Sequence, residues 1–253
     1  MLTVSSLHFR IGDSHILNGI DLSIAAEEQV GIIGPNGSGK TTLFNCLSGF
    51  HRANSGSITF KERDITKYPA PQRAALGLGR LFQNFGVFRE MTVLENLLVA
   101  IESKQSTTFL PWGRRQKENR EKAFEFLKKV QLEEKANLKA GSLSGGQLRL
   151  LEIVRLIAFG ADLFLLDEPT AGVSPKMKGE IEESIRVLRT TGAAILIIEH
   201  DINFIQRICE RVVVLDVGKV VLDGTPDEVK SDPRLQEIYF GSNHSPNEGN
   251  APA

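Results

Sequence analysis

The pattern of apolar and polar positions divides the chain into strand-like and helix-like segments. From Thr3 to Ile24 the two kinds of residue alternate at short range, and Ser57–Phe60 follows in the same style after a turn at Gly56. Alternation of this kind predicts antiparallel strands. By contrast, Gln29–Ile33 and Leu163–Leu166 are continuous apolar runs, which are typical of strands covered on both faces. We therefore expect an antiparallel sheet beside a buried one.

Between Thr92 and Leu138 the pattern becomes helical. Two stripes carry it: Val93, Asn96, Leu97 and Ala100 form the first, and Ala123, Phe126, Leu127 and Val130 form the second. The polar stretch Glu102–Lys117 joins them and predicts a surface loop. We expect a helical subdomain over residues 92–138, inserted into a core formed by residues 1–91 and 139–241.

Strand and helix patterns alternate in the last third of the chain. A helix is predicted to begin at Pro175 and to stop at Gly192, and the strand Ala193–Ile198 follows it. Such alternation favours an α/β fold with a mostly parallel core sheet. Residues 242–253 are rich in Asn, Pro, Gly and Ser without an apolar period, so a disordered tail is predicted there.

Composition narrows the classes of function. The 253 residues suffice for one large domain, or for a core with a subdomain. With 30 basic and 31 acidic residues the net charge is −1, which gives no support for a nucleic-acid partner. Cys46 and Cys209 lack a partner at metal-ligand spacing, and we expect them in the core of a reduced, cytosolic protein. Since no apolar run approaches ~18 residues, any membrane role is expected to come through partner proteins.

The segment GPNGSGKT matches the phosphate-binding pattern G-x-x-x-x-G-K-[ST]. Its glycines allow backbone N–H groups to turn towards phosphate oxygens, and a lysine balances their charge. The predicted helix Thr41–Ser48, which Gly49 would end, places the phosphates at a helix N-terminus, where anions are favoured. The candidate nucleotide-binding residues here are Gly34, Pro35, Asn36, Gly37, Ser38, Gly39, Lys40, Thr41 and Thr42.

Two carboxylates follow the apolar strand at Leu163–Leu166. In an open α/β sheet, ligands bind at the carboxyl ends of strands, and this end carries Asp167 and Glu168. Asp167 is predicted to hold Mg²⁺ through water, with the Thr41 hydroxyl and phosphate oxygens completing the shell. Glu168 is then free to act as the general base that accepts a proton from attacking water.

The segment LSGGQ, Leu143–Gln147, precedes the apolar helix Leu148–Phe159, so its N–H groups and a serine hydroxyl can meet an anion. With the phosphate loop and LFLLDEP, it resembles the ATP-binding subunits of ABC transporters, and the resemblance spans Leu2–Gly241. It implies a P-loop ABC ATPase core with an antiparallel β subdomain and an inserted helical subdomain, binding ATP and Mg²⁺. It also implies that two ATPase subunits pair head to tail. Ser144, Gly145, Gly146 and Gln147 would then contact the ATP held by the other subunit.

The same resemblance implies further roles. Gln83 is similar to the family's residue that senses the γ-phosphate and Mg²⁺, and His200 is similar to its switch histidine, which a nearby Glu168 could orient. Permease helices would dock near Gln83–Met91, where the apolar side chains are Phe85, Val87 and Phe88.

Two positions depart from the family pattern. Where many members stack an aromatic ring on adenine, this chain has Ile11, with Phe9 two residues earlier. Phe9 as the stacking ring, Ile11 as a weaker apolar contact, and Phe9 as part of the sheet core all remain open. Ser174 replaces a common aspartate, and it also suits the N-cap of a helix that begins at Pro175.

Four weaker features resemble the ATPases of branched-chain amino acid importers: AGVSP at 171–175, Phe82–Ala100, the polar insert, and the ending Leu235–Gly241. This resemblance implies two transmembrane permease subunits, an identical or different second ATPase, and a periplasmic or extracellular solute-binding protein. The chain would lie on the cytoplasmic face of the cell membrane as a peripheral subunit.

Other functions stay open. ATPases for urea, amides, other amino acids and lipopolysaccharide export share parts of the pattern, so a lipid or lipopolysaccharide exporter is one alternative. A non-transport ABC-type mechanical ATPase is disfavoured because the chain has one ATPase half and no long coiled-coil insertion. A P-loop kinase for a small molecule is disfavoured because that function does not account for the LSGGQ segment.

Overall fold

The structure is a computed structural model that describes residues 1–82, 86–103 and 112–240, with Trp112 and Phe240 described for their backbone. Within these ranges the chain forms two sheets with helices around them. The strands are β1 (Leu2–Ile11), β2 (Ser14–Ile24), β3 (Gln29–Ile33), β4 (Ser55–Phe60), β5 (Arg63–Asp64), β6 (Leu78–Leu81), β7 (Leu163–Asp167), β8 (Ala194–Ile198), β9 (Arg211–Asp216) and β10 (Lys219–Gly224). The helices are α1 (Lys40–Ser48), α2 (Ala70–Ala75), α3 (Val93–Ser103), α4 (Trp112–Lys129), α5 (Gly145–Phe159), α6 (Pro175–Arg189), α7 (Ile202–Ile208), α8 (Pro226–Ser231) and α9 (Pro233–Phe240).

The larger sheet has the strand order β10-β9-β3-β8-β7-β6. Its pairs are parallel except for β10 with β9, so the predicted mostly parallel core is confirmed. Every residue of β3, β7 and β8 is buried, as their continuous apolar runs predict. Because these strands are parallel neighbours, their carboxyl ends meet at one edge.

The smaller sheet is antiparallel, with the order β2-β1-β4-β5. The prediction of a turn at Gly56 is wrong, because this glycine lies inside β4. Its φ is +89°, and it faces an irregularity in the pairing between Ser5 and His8 of β1. A Cβ at Gly56 would lie 2.4 Å from the Ser6 carbonyl oxygen. The glycine therefore permits a bulge, which breaks the local pattern as a turn would.

Two hydrophobic clusters cover the larger sheet. One joins it to the antiparallel sheet and contains Cys46, and the other joins it to the helices and contains Cys209. Both thiols are buried, as predicted, and burial raises the pKa of Cys46 to about 11. Among the described residues, no helix is both long and apolar enough to cross a membrane.

The predicted helical stripes are present on α3 and α4, although the boundaries differ. Val93, Leu97 and Ala123 are buried in the cluster on the helical side of the sheet. The loop predicted over 102–117 is wrong at its ends, because 102–103 extend α3 and 112–117 belong to α4. Residues 104–111 and the predicted tail at 242–253 lie outside the described residues. Likewise α6 ends at Arg189, and Gly192 serves the turn after it with a φ of +75°.

The bulge at Gly56 generates a stability prediction. We expect Gly56→Ala to lower the free energy of unfolding by roughly 2–4 kcal/mol, because a left-handed alanine costs ~1–2 kcal/mol and its Cβ would also meet a carbonyl oxygen. Gly12→Ala is the matched control, since Gly12 has a φ of +57° with no atom near its added Cβ. Urea unfolding of both variants checks this, and equal losses would contradict the account.

Candidate functional site

The phosphate loop connects β3 to α1 and is shaped by three glycines. Gly34, Gly37 and Gly39 have φ values of +150°, +83° and +102°. A Cβ on Gly34 would lie 2.1 Å from the Leu215 carbonyl oxygen, and one on Gly39 would lie 2.9 Å from the side chain of Leu17. Only glycine fits these two positions, so the backbone can approach a ligand closely.

Lys40 is buried at the start of α1 and points back into this loop. Its Nζ donates to the carbonyl oxygens of Gly34 and Pro35, at 2.8 and 2.9 Å. Burial lowers the pKa of Lys40, and the charges of Glu168 and Asp167 oppose this shift. The N-cap of α1 is Gly39, which has no side chain to cap the helix, so the first N–H groups of α1 can bind an anion. The loop therefore combines a cation with backbone donors, as phosphate binding requires.

Asp167 ends β7 and is buried beside a cation from β6. Its Oδ2 accepts a hydrogen bond from Nη2 of Arg80 at 3.1 Å, while its Oδ1 has no hydrogen-bond partner among the described residues. Burial raises the pKa of Asp167, and Arg80 opposes that rise. An unpartnered carboxylate oxygen fits the predicted water shell of Mg²⁺, to which the exposed Thr41 would add a hydroxyl.

The described residues contain no group of three or more His, Cys, Asp or Glu side chains able to hold a metal alone. An ion at Asp167 would therefore need oxygens from the nucleotide and from water, which is the arrangement the sequence predicts.

Glu168 and His200 meet at the ends of β7 and β8. Oε1 of Glu168 lies 3.0 Å from Nε2 of His200. Glu168 has a φ of +48°, which is uncommon for a non-glycine residue, and its N–H donates to the Ile198 carbonyl. Costly backbone conformations of this kind cluster at functional sites. Glu168 is thus held as a candidate base with a histidine on its carboxylate.

The LSGGQ segment lies at the start of α5. Ser144 is its N-cap and forms a capping box with Gln147, in which the Ser144 Oγ accepts from the Gln147 N–H at 3.4 Å. Ser144 and Gly145 are exposed, whereas an added Cβ on Gly146 would lie 2.6 Å from Met177 of α6. Within the described part of the chain, the side-chain hydrogen bonds of this segment stay within it. None of these hydrogen bonds reaches the phosphate loop of the same chain.

Gln83, predicted to sense the γ-phosphate and the metal, lies outside the described residues, as does Phe85. Helix α5 binds both flanks of that segment. Arg149 donates to the Phe82 carbonyl at 2.8 Å, and the Gly86 N–H donates to Glu152. The helix that begins with LSGGQ therefore also fixes the ends of the Gln83 segment.

The structure describes both positions that depart from the family pattern, the Phe9–Ile11 region and Ser174. The ring of Phe9 stacks on His51, with centroids 5.0 Å apart and planes 4° apart, and it packs against the antiparallel-sheet cluster. This favours Phe9 as a packed sheet residue. Ile11 is 62% exposed and stays the candidate apolar contact. Ser174 is the N-cap of α6, as predicted.

The family described as ABC transporter matches residues 17–171. The chain belongs to the ABC transporter family.

Two relatives and two solved structures extend this result. The chain is 39% identical over 249 residues to the high-affinity branched-chain amino acid transport ATP-binding protein LivG of Salmonella typhimurium, covering 95% of this chain and 98% of that one. It is 38% identical over 226 residues to the lipopolysaccharide export system ATP-binding protein LptB of Acidithiobacillus ferridurans, covering 89% and 90%. An ATP-binding cassette of an ABC transporter in its ADP conformation has a TM-score of 0.83 at 33% identity, covering 95% and 98%. The dimeric structure of another bacterial ABC transporter cassette has a TM-score of 0.78 at 27% identity, covering 89% and 99%.

These comparisons confirm the predicted fold class and enzyme class. The chain is an ABC ATPase, which binds nucleotide and hydrolyses ATP.

Two residues beside the site of this ABC ATPase were missed by sequence reasoning. Arg80 hydrogen-bonds Asp167 and is the one charged residue of strand β6. A charge within an otherwise apolar strand is the sequence signal that could have identified it. Tyr239 of α9 places its hydroxyl 2.9 Å from the Gly34 N–H, from which it accepts a hydrogen bond. Its segment, Leu235–Gly241, contributes only a family resemblance, so no signal in the sequence predicts this contact.

The Tyr239 contact generates a prediction. We expect Tyr239→Phe to lower the free energy of unfolding by about 1–3 kcal/mol, because the buried Gly34 N–H would lose its acceptor. Tyr68→Phe is the control, since the Tyr68 hydroxyl forms no hydrogen bond with the described residues. Thermal unfolding and nucleotide titration of both variants measure the effect. Equal behaviour of the two variants would show that the Tyr239 hydroxyl does not support the loop.

Proposed function

We propose that this chain is the ATP-hydrolysing subunit of an importer for amino acids, with branched-chain amino acids as the cargo class. The observation that supports hydrolysis is the 3.0 Å contact between Glu168 and His200, at the sheet edge that also carries Asp167. The cargo class rests on the similarity to LivG over nearly the full length of both chains.

In the proposed mechanism, the loop 34–42 binds the phosphates, with Lys40 Nζ and the α1 N–H groups opposing their charge. Glu168 accepts a proton from water that attacks the γ-phosphate, and His200 keeps its carboxylate in place. Thr41, Asp167 and Gln83 would hold Mg²⁺, which when bound balances charge on the β- and γ-phosphates. Exclusion of bulk water would require a surface from outside the loop.

We propose that a second ATPase subunit, identical or different, supplies that surface. Ser144 and Gly145 are exposed, and among the described residues no hydrogen bond joins them to the phosphate loop of their own chain. In a head-to-tail pair, ATP would bridge Lys40 of one subunit and Ser144 of the other. ADP and released phosphate would hold them less well, so hydrolysis would favour reopening. The dimeric structure of a similar cassette supports the pairing.

Closure and reopening of the ATPase pair would drive conformational changes in two permease subunits. A groove of about 560 Å³ is mostly apolar, and its lining includes Gly86 and Phe88 of the proposed docking segment 83–91. Phe50 and Phe88 line it and are 56% and 48% exposed, which suits a partner helix. The ATPase would then lie on the cytoplasmic face of the membrane as a peripheral subunit, while a periplasmic or extracellular solute-binding protein delivers the cargo.

The second candidate is the ATPase of a lipopolysaccharide or other lipid exporter. The 38% identity to LptB supports it, and the same site chemistry would apply. The first candidate is preferred because the similarity to LivG covers more of both chains.

Replacement of the candidate base tests the mechanism. We expect Glu168→Gln to reduce ATP hydrolysis by about 10²–10⁴-fold, because the amide cannot accept the proton, while ATP remains bound between two subunits. Phosphate release and sedimentation with MgATP measure the two effects. Glu27→Gln is the control, because Glu27 is an exposed glutamate that also has a positive φ of +63°. Hydrolysis near the normal rate in Glu168→Gln would exclude Glu168 as the base.

Recovery of partners tests the assignment to a transporter. Affinity-tagged Glu168→Gln, expressed in the organism of origin and purified with MgATP, should carry two permeases and a second ATPase. Stimulation of ATP hydrolysis in the wild-type complex by a solute-binding protein loaded with a branched-chain amino acid would support import. Stimulation by lipopolysaccharide instead would support the exporter, and recovery of ribosomes without membrane proteins would contradict both.

A further inference from the structure

Arg80 occupies a central position between the phosphate loop and the sheet. Its side chain is only 6% exposed. Nη1 donates to Oδ1 of Asn45 and to Oγ of Ser48, both at 2.7 Å, while Nη2 donates to Oδ2 of Asp167 at 3.1 Å. One guanidinium therefore joins helix α1 to the end of strand β7.

The α1 partners of Arg80 share a helix face with Thr41. Asn45 and Ser48 follow Thr41 by four and seven residues, and residues at these spacings lie on one side of a helix. Thr41 and Asp167 are the two described side chains that would hold Mg²⁺. Arg80 thus fixes the two elements that carry them relative to each other, while Oδ1 of Asp167 has no hydrogen-bond partner in the described ranges.

The guanidinium also contacts aromatic rings of the groove. Its Cζ lies 4.7 Å from the ring centroid of Phe82 and 5.8 Å from that of Phe50, within the range of cation–π attraction. The two rings touch edge to face at 5.2 Å, and both line the groove of about 560 Å³. Phe50 is exposed there, so a molecule in the groove would press on a ring that contacts Arg80.

We propose that Arg80 is a positioning residue that transmits occupancy of the groove to Asp167, and hence to magnesium binding. The inference rests on the proposed function, which makes a permease helix the occupant of the groove. Displacement of Phe50 or Phe82 changes the ring contacts of a rigid, planar guanidinium. Because the same group holds Oδ2 of Asp167, the direction in which Oδ1 points changes with it. Residues that hydrogen-bond a metal-binding carboxylate typically affect metal affinity about 10–100-fold.

The groove contains a second arginine–phenylalanine pair that serves as an internal control. Arg155 lies 5.2 Å from the ring centroid of Phe88, which is exposed to a similar degree as Phe50. Arg155 donates to the Gly86 carbonyl at 2.5 Å, whereas Arg80 reaches the carboxylate of Asp167. A change at Phe88 should therefore disturb the groove without altering a ring contact of the arginine that hydrogen-bonds Asp167.

The test measures Mn²⁺ binding to the full chain with ADP bound, using the paramagnetic resonance signal of free Mn²⁺. We expect Arg80→Met to weaken Mn²⁺ binding by about 10–100-fold. Arg80→Lys should weaken it less, because lysine keeps the positive charge but lacks the planar guanidinium with its several N–H donors. ADP affinity without metal should stay unchanged. Phe50→Leu should shift Mn²⁺ affinity several-fold, and Phe88→Leu should not.

A double-mutant cycle separates transmission from a merely structural role. The Phe50→Leu effect should vanish in the Arg80→Met background, because the connecting group is gone. If Arg80→Met does not fold, the cycle is run with Arg80→Lys, where the effect should shrink. Equal effects of Phe50→Leu and Phe88→Leu, or a Phe50 effect that survives without Arg80, would overturn the proposal. These measurements use the isolated chain. A result that overturns the role of Arg80 is therefore distinct from a failure to recover permeases, which would contradict the proposed function.

Discussion

The alignment of the carboxyl ends of β3, β7 and β8 is the constraint on which the site depends. In the register observed, Ile198 of β8 pairs with both Ile32 of β3 and Asp167 of β7. The strands therefore end together, and the residues that follow them, the phosphate loop, Glu168 and His200, reach the same volume. A shift of one residue in either pairing would move a side chain by about 3.3 Å and turn it to the other face, so the register decides whether these groups can act together.

Charge inside this edge is balanced only in part by the protein. Burial lowers the pKa of Lys40 and raises that of Asp167, so both shifts favour the neutral forms, while neighbouring charges oppose them. Buried charges are stable when they are paired. A triphosphate with Mg²⁺ would add negative charge beside Lys40 and positive charge beside Asp167. The charges of the site are thus matched to the ligand that the family binds. Arg80 compensates Asp167 through Oδ2, away from Oδ1, which has no hydrogen-bond partner among the described residues.

Most of the fold, and the placement of the main candidate residues at one sheet edge, could be predicted from the sequence because they rest on local patterns. The apolar runs, the glycines of the phosphate loop and the capping serines each follow from short-range chemistry. What the sequence did not predict depends on distant packing. Arg80 meets Asp167 through strand pairing, and Tyr239 reaches Gly34 from the other end of the chain. A left-handed glycine suits a turn and a bulge alike, so Gly56 in the sequence does not distinguish the two. The ends of the polar insert are helical but have few apolar positions, so their pattern predicts a loop.

The structure of Glu168→Gln with MgATP, determined for the complex purified from the organism of origin, tests the central claim most directly. The account predicts that backbone N–H groups of residues 36–41 surround the β- and γ-phosphates, and that an LSGGQ serine from a second ATPase subunit lies within hydrogen-bond distance of the γ-phosphate. For this chain, Ser144 would play that part at the partner's site. A triphosphate bound away from the 34–42 loop, or capped by Ser144 of the same chain that holds it, would contradict the account.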